Sequence, residues 1–205
     1  MRKFLSSFWR DEAGVVTVET VIAVPFVALA FGATYVFFDV YRVTTAGQKA
    51  AYIVADNISR QTDPVDADYI FGLNTLHDIL ARTRNTTRIR VSSIGWSDQD
   101  NKFIAIWSVN TGVGPALTTA LLTENLTNTF PTIPQGETFL FVETSVDYTP
   151  LFKVGISEQT FRQAVVTRPR FAPQVAFDDG TTILSQDFGP PTCDDGDTLC
   201  SPGET

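Results

Sequence analysis

Glu19 is the residue whose chemistry most needs an explanation, because it is the one charge in an otherwise apolar run over 15–38. A carboxylate inside an apolar span costs a few kcal/mol unless it finds a partner. Glu19 lies about one helical turn inside the run, so lipid headgroups are one partner within reach. The residues before it suggest another. If the chain were cut after Gly14, Val15 would carry a new ammonium group. Glu19 stands four residues further on, one turn away on the same helix face. The two charges could then pair within one chain or between neighbouring chains, and the helix macrodipole favours a carboxylate in a first turn. Gly14 and Val15 are therefore candidate processing residues and Glu19 a candidate assembly residue. Pro25 joins Glu19 as an assembly candidate, because its missing N–H kinks or loosens a helix.

Other reactive residue types give less. Asp194, Asp195 and Asp197 surround Gly196 with spacing that suits a hard cation such as Ca²⁺, but the run lacks the distal Glu and the length of an EF-hand loop. A solvated acidic turn is the stronger reading, so no metal is assigned. Cys193 and Cys200 would close a small disulfide loop in an oxidising compartment, and would be free or metal-linked in the cytosol. His77 is the single histidine, which excludes a His-rich metal site, and it falls in a helical pattern where a partly exposed histidine is expected. No Gly-x-Ser-x-Gly elbow, Walker loop or His-Glu-x-x-His motif occurs. The expectation is a protein with no catalytic residues and no cofactor, not an enzyme.

The elements that would position these residues begin with the apolar run itself. Its 24 residues suffice, at about 1.5 Å each, to cross a hydrocarbon core of about 30 Å. Arg2, Lys3 and Arg10 precede it, while Asp39, Arg42 and Lys49 follow. Acidic residues count little in orientation, so the N-terminus is expected in the cytoplasm and the bulk of the chain outside the inner membrane. That compartment favours the Cys193–Cys200 disulfide. Ala28-Leu29-Ala30 also matches a secretory cleavage pattern. Against it, the preceding apolar region would contain Glu19, and the run continues through Val36, Phe37 and Phe38.

Ala46, Ala50, Ile53, Val54, Asn57 and Ile58 recur near a 3.6 period, which extends the helix to about Gln61, before Asp63-Pro64. A second helix is expected over 67–82, burying Tyr69, Leu73, Leu76, Ile79 and Leu80. A hairpin follows, with strands near 88–94 and 103–109 around the polar turn 97–101. A short helix over 116–125 and strands over 138–148 and 158–166 complete the reading. Within 138–148, Phe139, Phe141, Glu143 and Ser145 alternate with Leu140, Val142, Thr144 and Val146. The fold class is α+β, a long N-terminal helix packed on a small antiparallel sheet. The organisation read from the chain is a leader over 1–14, a transmembrane helix over 15–38, an amphipathic stem helix over 39–62, an extracytoplasmic α+β domain over 63–171 and an acidic, exposed, partly flexible tail over 172–205.

With 205 residues, 43% of them hydrophobic and 19% charged, the chain can fill one modest core. The net charge of -8 argues against nucleic acid as a partner and against broad docking on anionic lipid.

The segment Phe8-Trp9-Arg10-Asp11-Glu12-Ala13-Gly14-Val15-Val16-Thr17-Val18-Glu19, leading into an apolar helix that contains Pro25, resembles the start of class III prepilin-like proteins. It is most similar to the TadE-like minor pseudopilins of the Tad (Flp, tight-adherence) pilus system. The resemblance implies cleavage by a prepilin peptidase at Gly14–Val15 and a glutamate at the fifth mature position, Glu19. It also implies a pilin-like fold and, as partners, other Tad pilins and pseudopilins, the inner-membrane assembly platform and membrane lipid. Major pilins of that system usually carry an aromatic residue after the glutamate, where this chain has Thr20, and they are much shorter; both departures point to a minor pilin. Val146-Asp147-Tyr148-Thr149-Pro150-Leu151 and Val166-Thr167-Arg168-Pro169-Arg170 also resemble TadE-like segments. The resemblance covers the first third well, the middle loosely and the tail after Phe171 not at all. The function it implies is structural, in pilus assembly and surface adhesion. The alternative is an uncleaved single-pass envelope protein with a ligand- or partner-binding domain.

Overall fold

The computed structural model describes residues 13–82, 86–97, 101–125, 130, 133–134 and 137–186. One helix, α1 (Ala13–Ser59), runs without a break through the apolar segment and the stem. Helix α2 (Ala67–Ala81) follows, then strands β1 (Thr87–Ser97) and β2 (Lys102–Asn110), the short helix α3 (Thr119–Asn125), and strands β3 (Thr138–Tyr148) and β4 (Gln159–Thr167). A two-stranded ribbon, β5 (Phe177–Asp178) and β6 (Ile183–Leu184), closes the described part. The α+β class is as expected.

The main sheet has the order β2-β1-β3-β4, every pair antiparallel. Alternation divides its side chains between two cores. Leu140 and Val142 of β3 and Ile89 and Val91 of β1 face α1 and α2, where they meet Ala51, Val54 and Ile58. Phe139 and Phe141 point the other way, with Ile94, into a cluster completed by Leu117, Leu122 and Phe130. β3 is therefore buried on both faces along most of its length, and its first half, Phe139-Leu140-Phe141-Val142, is apolar on both.

A β-bulge keeps this division consistent in β2. Ser93 pairs with Trp107 but Ile94 pairs with Ala105, so Ile106 is the extra residue. Without it, Phe103, Ala105, Trp107 and Val109 would share one face. With it, Phe103 stacks edge-on against Trp96 and Phe139 in the aromatic core, while Trp107 turns toward the helices.

Three expectations are corrected in the helices. α1 ends at Ser59 rather than Gln61, where Arg170 N–H donates to the Ser59 carbonyl at 2.8 Å and the Arg170 guanidinium pairs with Asp56 at 2.6 Å. The buried face of the stem is Val43, Gly47, Ala50, Ala51, Val54, Ala55 and Ile58, leaving Ile53 exposed. The small residues let the helix approach the sheet closely; a Cβ on Gly47 would lie 3.4 Å from Val146. α2 starts at an Asp66 cap whose side chain accepts from Tyr69 N–H, and stops at Arg82 in the left-handed conformation. It buries Ile70, Leu73, His77 and Ala81, and Ile79 faces outward. His77 is thus 0% exposed, not partly exposed.

The tail expectation also changes. Val175 and Phe177 are buried in the main core, Trp107 Nε1–H donates to the Val175 carbonyl at 2.8 Å, and Phe177 stacks on the Trp107 ring at 5.4 Å. The segment from Ala172 to Gln186 therefore belongs to the folded domain. Cys193, Cys200, Asp194, Asp195 and Asp197 lie outside the described residues.

Candidate functional site: the apolar half of the first helix

Among the described residues, nothing packs on α1 over 16–31. Val16, Phe26 and Phe31 are 68%, 71% and 75% exposed, and Val18, Val21, Ile22, Val24, Val27 and Leu29 are exposed as well. Apolar side chains thus cover every face of the helix rather than one stripe, a pattern that suits a lipid or protein surrounding and not water. The helix is long and apolar enough to cross a bilayer. Thr20 and Thr34 fit such a setting because each hydroxyl is satisfied internally, donating at 2.8 Å to the carbonyls of Val16 and Ala30.

Glu19 is exposed on this surface, one turn after Val15. The backbone of Gly14 and Val15 is already helical, so the bond between them lies inside the first turn of α1. Pro25 is also inside the helix. It removes the N–H that would bond the Val21 carbonyl, six residues above Glu19 on the side toward the domain, and makes this the weakest point of the helical ladder. The structure places Gly14, Val15, Glu19 and Pro25 on one element but brings no second charge to Glu19 among the described residues.

The opposite end of the apolar stretch is built differently. Val36 is fully buried, Asp39 and Arg42 pair at 2.8 Å, and Val43, Val146 and Tyr148 form a small core with Val40, Ile156 and Phe161 around it. Burial, and after it the neighbouring Asp39 carboxylate, pushes the Tyr148 hydroxyl above its ordinary value. Tyr35 meets Phe152 edge-to-face at 6.2 Å. The turn between β3 and β4 thus comes down beside the last turns of the apolar stretch. Sequence reading missed this, although Leu151-Phe152-Lys153, an apolar pair followed by a cation, was the available signal.

Elsewhere the described residues offer little for covalent chemistry. A groove of about 130 Å³ between α1 and β4 is lined by Gln48, Tyr52 and Gln163 among others, and holds no nucleophile beside a base. Three or more His, Cys, Asp or Glu side chains do not converge anywhere among the described residues. His77 has no hydrogen-bond partner at either ring nitrogen, and burial lowers its pKa against the opposing field of Asp78. Comparison with protein families, with characterised proteins and with solved structures finds no match for this chain.

Proposed function

We propose that the chain is a structural minor pilin, a TadE-like pseudopilin of a Tad-type pilus, with a pilin-like fold. In this reading α1 crosses the bacterial inner membrane with its N-terminus in the cytoplasm and its domain in the periplasm, where Cys193 and Cys200 are joined. A prepilin peptidase cuts between Gly14 and Val15. The assembly platform then draws the apolar helix among other Tad pilins and pseudopilins, and the domain takes part in initiating, capping or basing an adhesive pilus.

The observation that carries this reading is Glu19, exposed one turn after Val15 on a helix apolar on every face. Cleavage would create a positive end that a neighbouring chain's Glu19 could meet. In apolar surroundings an unpaired carboxylate is costly, so the pairing would fix the axial register of one helix against the next. Mass spectrometry of the mature N-terminus tests it: the chain is expected to begin at Val15. Glu19→Ala is expected to be processed normally yet to be depleted from pili.

A second reading is an uncleaved single-pass envelope protein with a ligand- or partner-binding domain, in which the Gly14–Val15 bond stays within the helix that holds it here. A mature protein that keeps Met1 or Arg2 favours it and ends the pilin reading.

A further inference from the structure

We infer that the turn between β3 and β4 is a second membrane contact, dipping Leu151 and Phe152 into the outer headgroup layer of a phospholipid bilayer. The inference rests on the reading of α1 as a membrane span.

The apolar helix supplies its own depth scale. Between Glu19 and Asp39 lie 19 uncharged residues, 20–38, or about 28 Å of helix, close to a hydrocarbon thickness. The first charges on the domain side, Asp39 and Arg42, therefore mark the interface. β3 runs antiparallel to the stem. Leu140 lies in the core with Ile58, Val146 and Tyr148 lie with Val43, and Phe152 touches Tyr35. Tyr35 is four residues before Asp39, so Phe152 reaches about 6 Å past the first charge toward the apolar side.

The tip is held there rather than hanging loose. Tyr148 precedes it and Ile156 follows it in the same small core against Val43. Val154 N–H donates to the Phe152 carbonyl at 3.0 Å, closing a tight turn, and Gly155 at φ 78° reverses the chain. At its tip this framework presents two apolar side chains, Leu151, 67% exposed, and Phe152, 49%, with the exposed Ser157 and Glu158 further along the turn. At the same height on α1, Phe37, Phe38 and Tyr41 are 59%, 71% and 71% exposed. Aromatic rings with a neighbouring cation are the composition of membrane interfaces, and Lys153 can lay its stem along the apolar surface while its ammonium meets phosphate. The lipid surface is the occupant these observations select, because the exposed turn is continuous with the span and level with its end.

Spin labelling in phospholipid vesicles tests this with the full chain. In a Cys193→Ser, Cys200→Ser background, single cysteines replace Leu151, Phe152, Phe26 and Ile183, the last exposed on the far ribbon. Each label is read for collisions with oxygen, which concentrates in lipid, and with a water-soluble nickel chelate. Oxygen dominance at 26, 151 and 152, with nickel dominance at 183, is expected. Lipid contact at 26 with water-like values at both 151 and 152 overturns the turn contact alone. Water-like values at 26 overturn the span and the turn contact together.

Discussion

Replacing His77 by Leu should stabilise the folded domain, although the native side chain fills a fully buried position. His77 is 0% exposed on the inner face of α2, and both its ring nitrogens lack partners. A buried polar group left unsatisfied costs about 1–3 kcal/mol. Leu is close in volume and carries no polar atom, so the substitution should return about 2 kcal/mol, which for a domain of this size raises Tm by about 4–8 °C. Protonation gives a second signature. Burial holds the folded-state pKa of His77 below its ordinary value. Below about pH 6.5 the unfolded chain therefore binds a proton that the folded chain does not. The histidine's contribution is undiminished above pH 6.5 and is lost as pH falls toward the folded pKa, by up to about 1.4 kcal/mol per pH unit. Thermal unfolding in mild detergent, followed by near-ultraviolet dichroism at pH 7.5 and 5.5, reads both effects. The wild-type Tm should drop between the two conditions by more than that of His77→Leu. A less stable variant at pH 7.5, or equal pH dependence in both proteins, would falsify the account of an unpartnered imidazole.

The aromatic core on the opposite face makes a complementary demand. Phe139 is fully buried between Phe103 and Phe130, so Phe139→Ala should cost about 3–5 kcal/mol and lower Tm by about 6–20 °C in the same assay. Asp66→Ala should cost about 1 kcal/mol by leaving Tyr69 N–H without its cap, a loss that Asp66→Asn should largely avoid. The Arg88 guanidinium, with help from the Thr160 hydroxyl, holds the Asp147 carboxyl below the usual range, so its contribution exists above about pH 4 and fades as pH falls through the lowered value. Because both partners are about a third exposed, Asp147→Asn should cost about 1 kcal/mol or less at pH 7, and its Tm should converge with wild type in acid.

Sequence pattern was a good guide where one periodicity dominated. The strand 138–148 was readable to its ends because Leu140, Val142, Val146 and Tyr148 keep one face almost wholly apolar, with Phe139 and Phe141 on the other. The hairpin of β1 and β2 was readable from its polar turn, but its bulge was not, since an extra residue changes pairing without changing composition. α2 was rotated in the reading because Ile79 looked like core and His77 did not; only the neighbouring sheet decides which face turns inward. Val175 and Phe177 carry no period in their polar stretch, so nothing in the pattern separates them from the acidic tail, yet they close the core against Trp107. Of the candidate site, Glu19 and the apolar run were legible from a charge out of place. The approach of Phe152 to Tyr35 was not, because residues 117 apart in sequence meet only through the antiparallel course of β3 along α1.

The continuity of α1 also has a mechanical side. Its 47 residues make a rod about 70 Å long, and the sheet is clamped to the upper part of that rod. Pro25 is the one joint, with 34 residues, about 51 Å, between it and Ser59. A bend of roughly 10° at that joint would swing the top of the domain by about 9 Å. A change in the surroundings of the short segment before Pro25 would thus be amplified into a displacement broad enough to move the far face of the domain against whatever stands next to it.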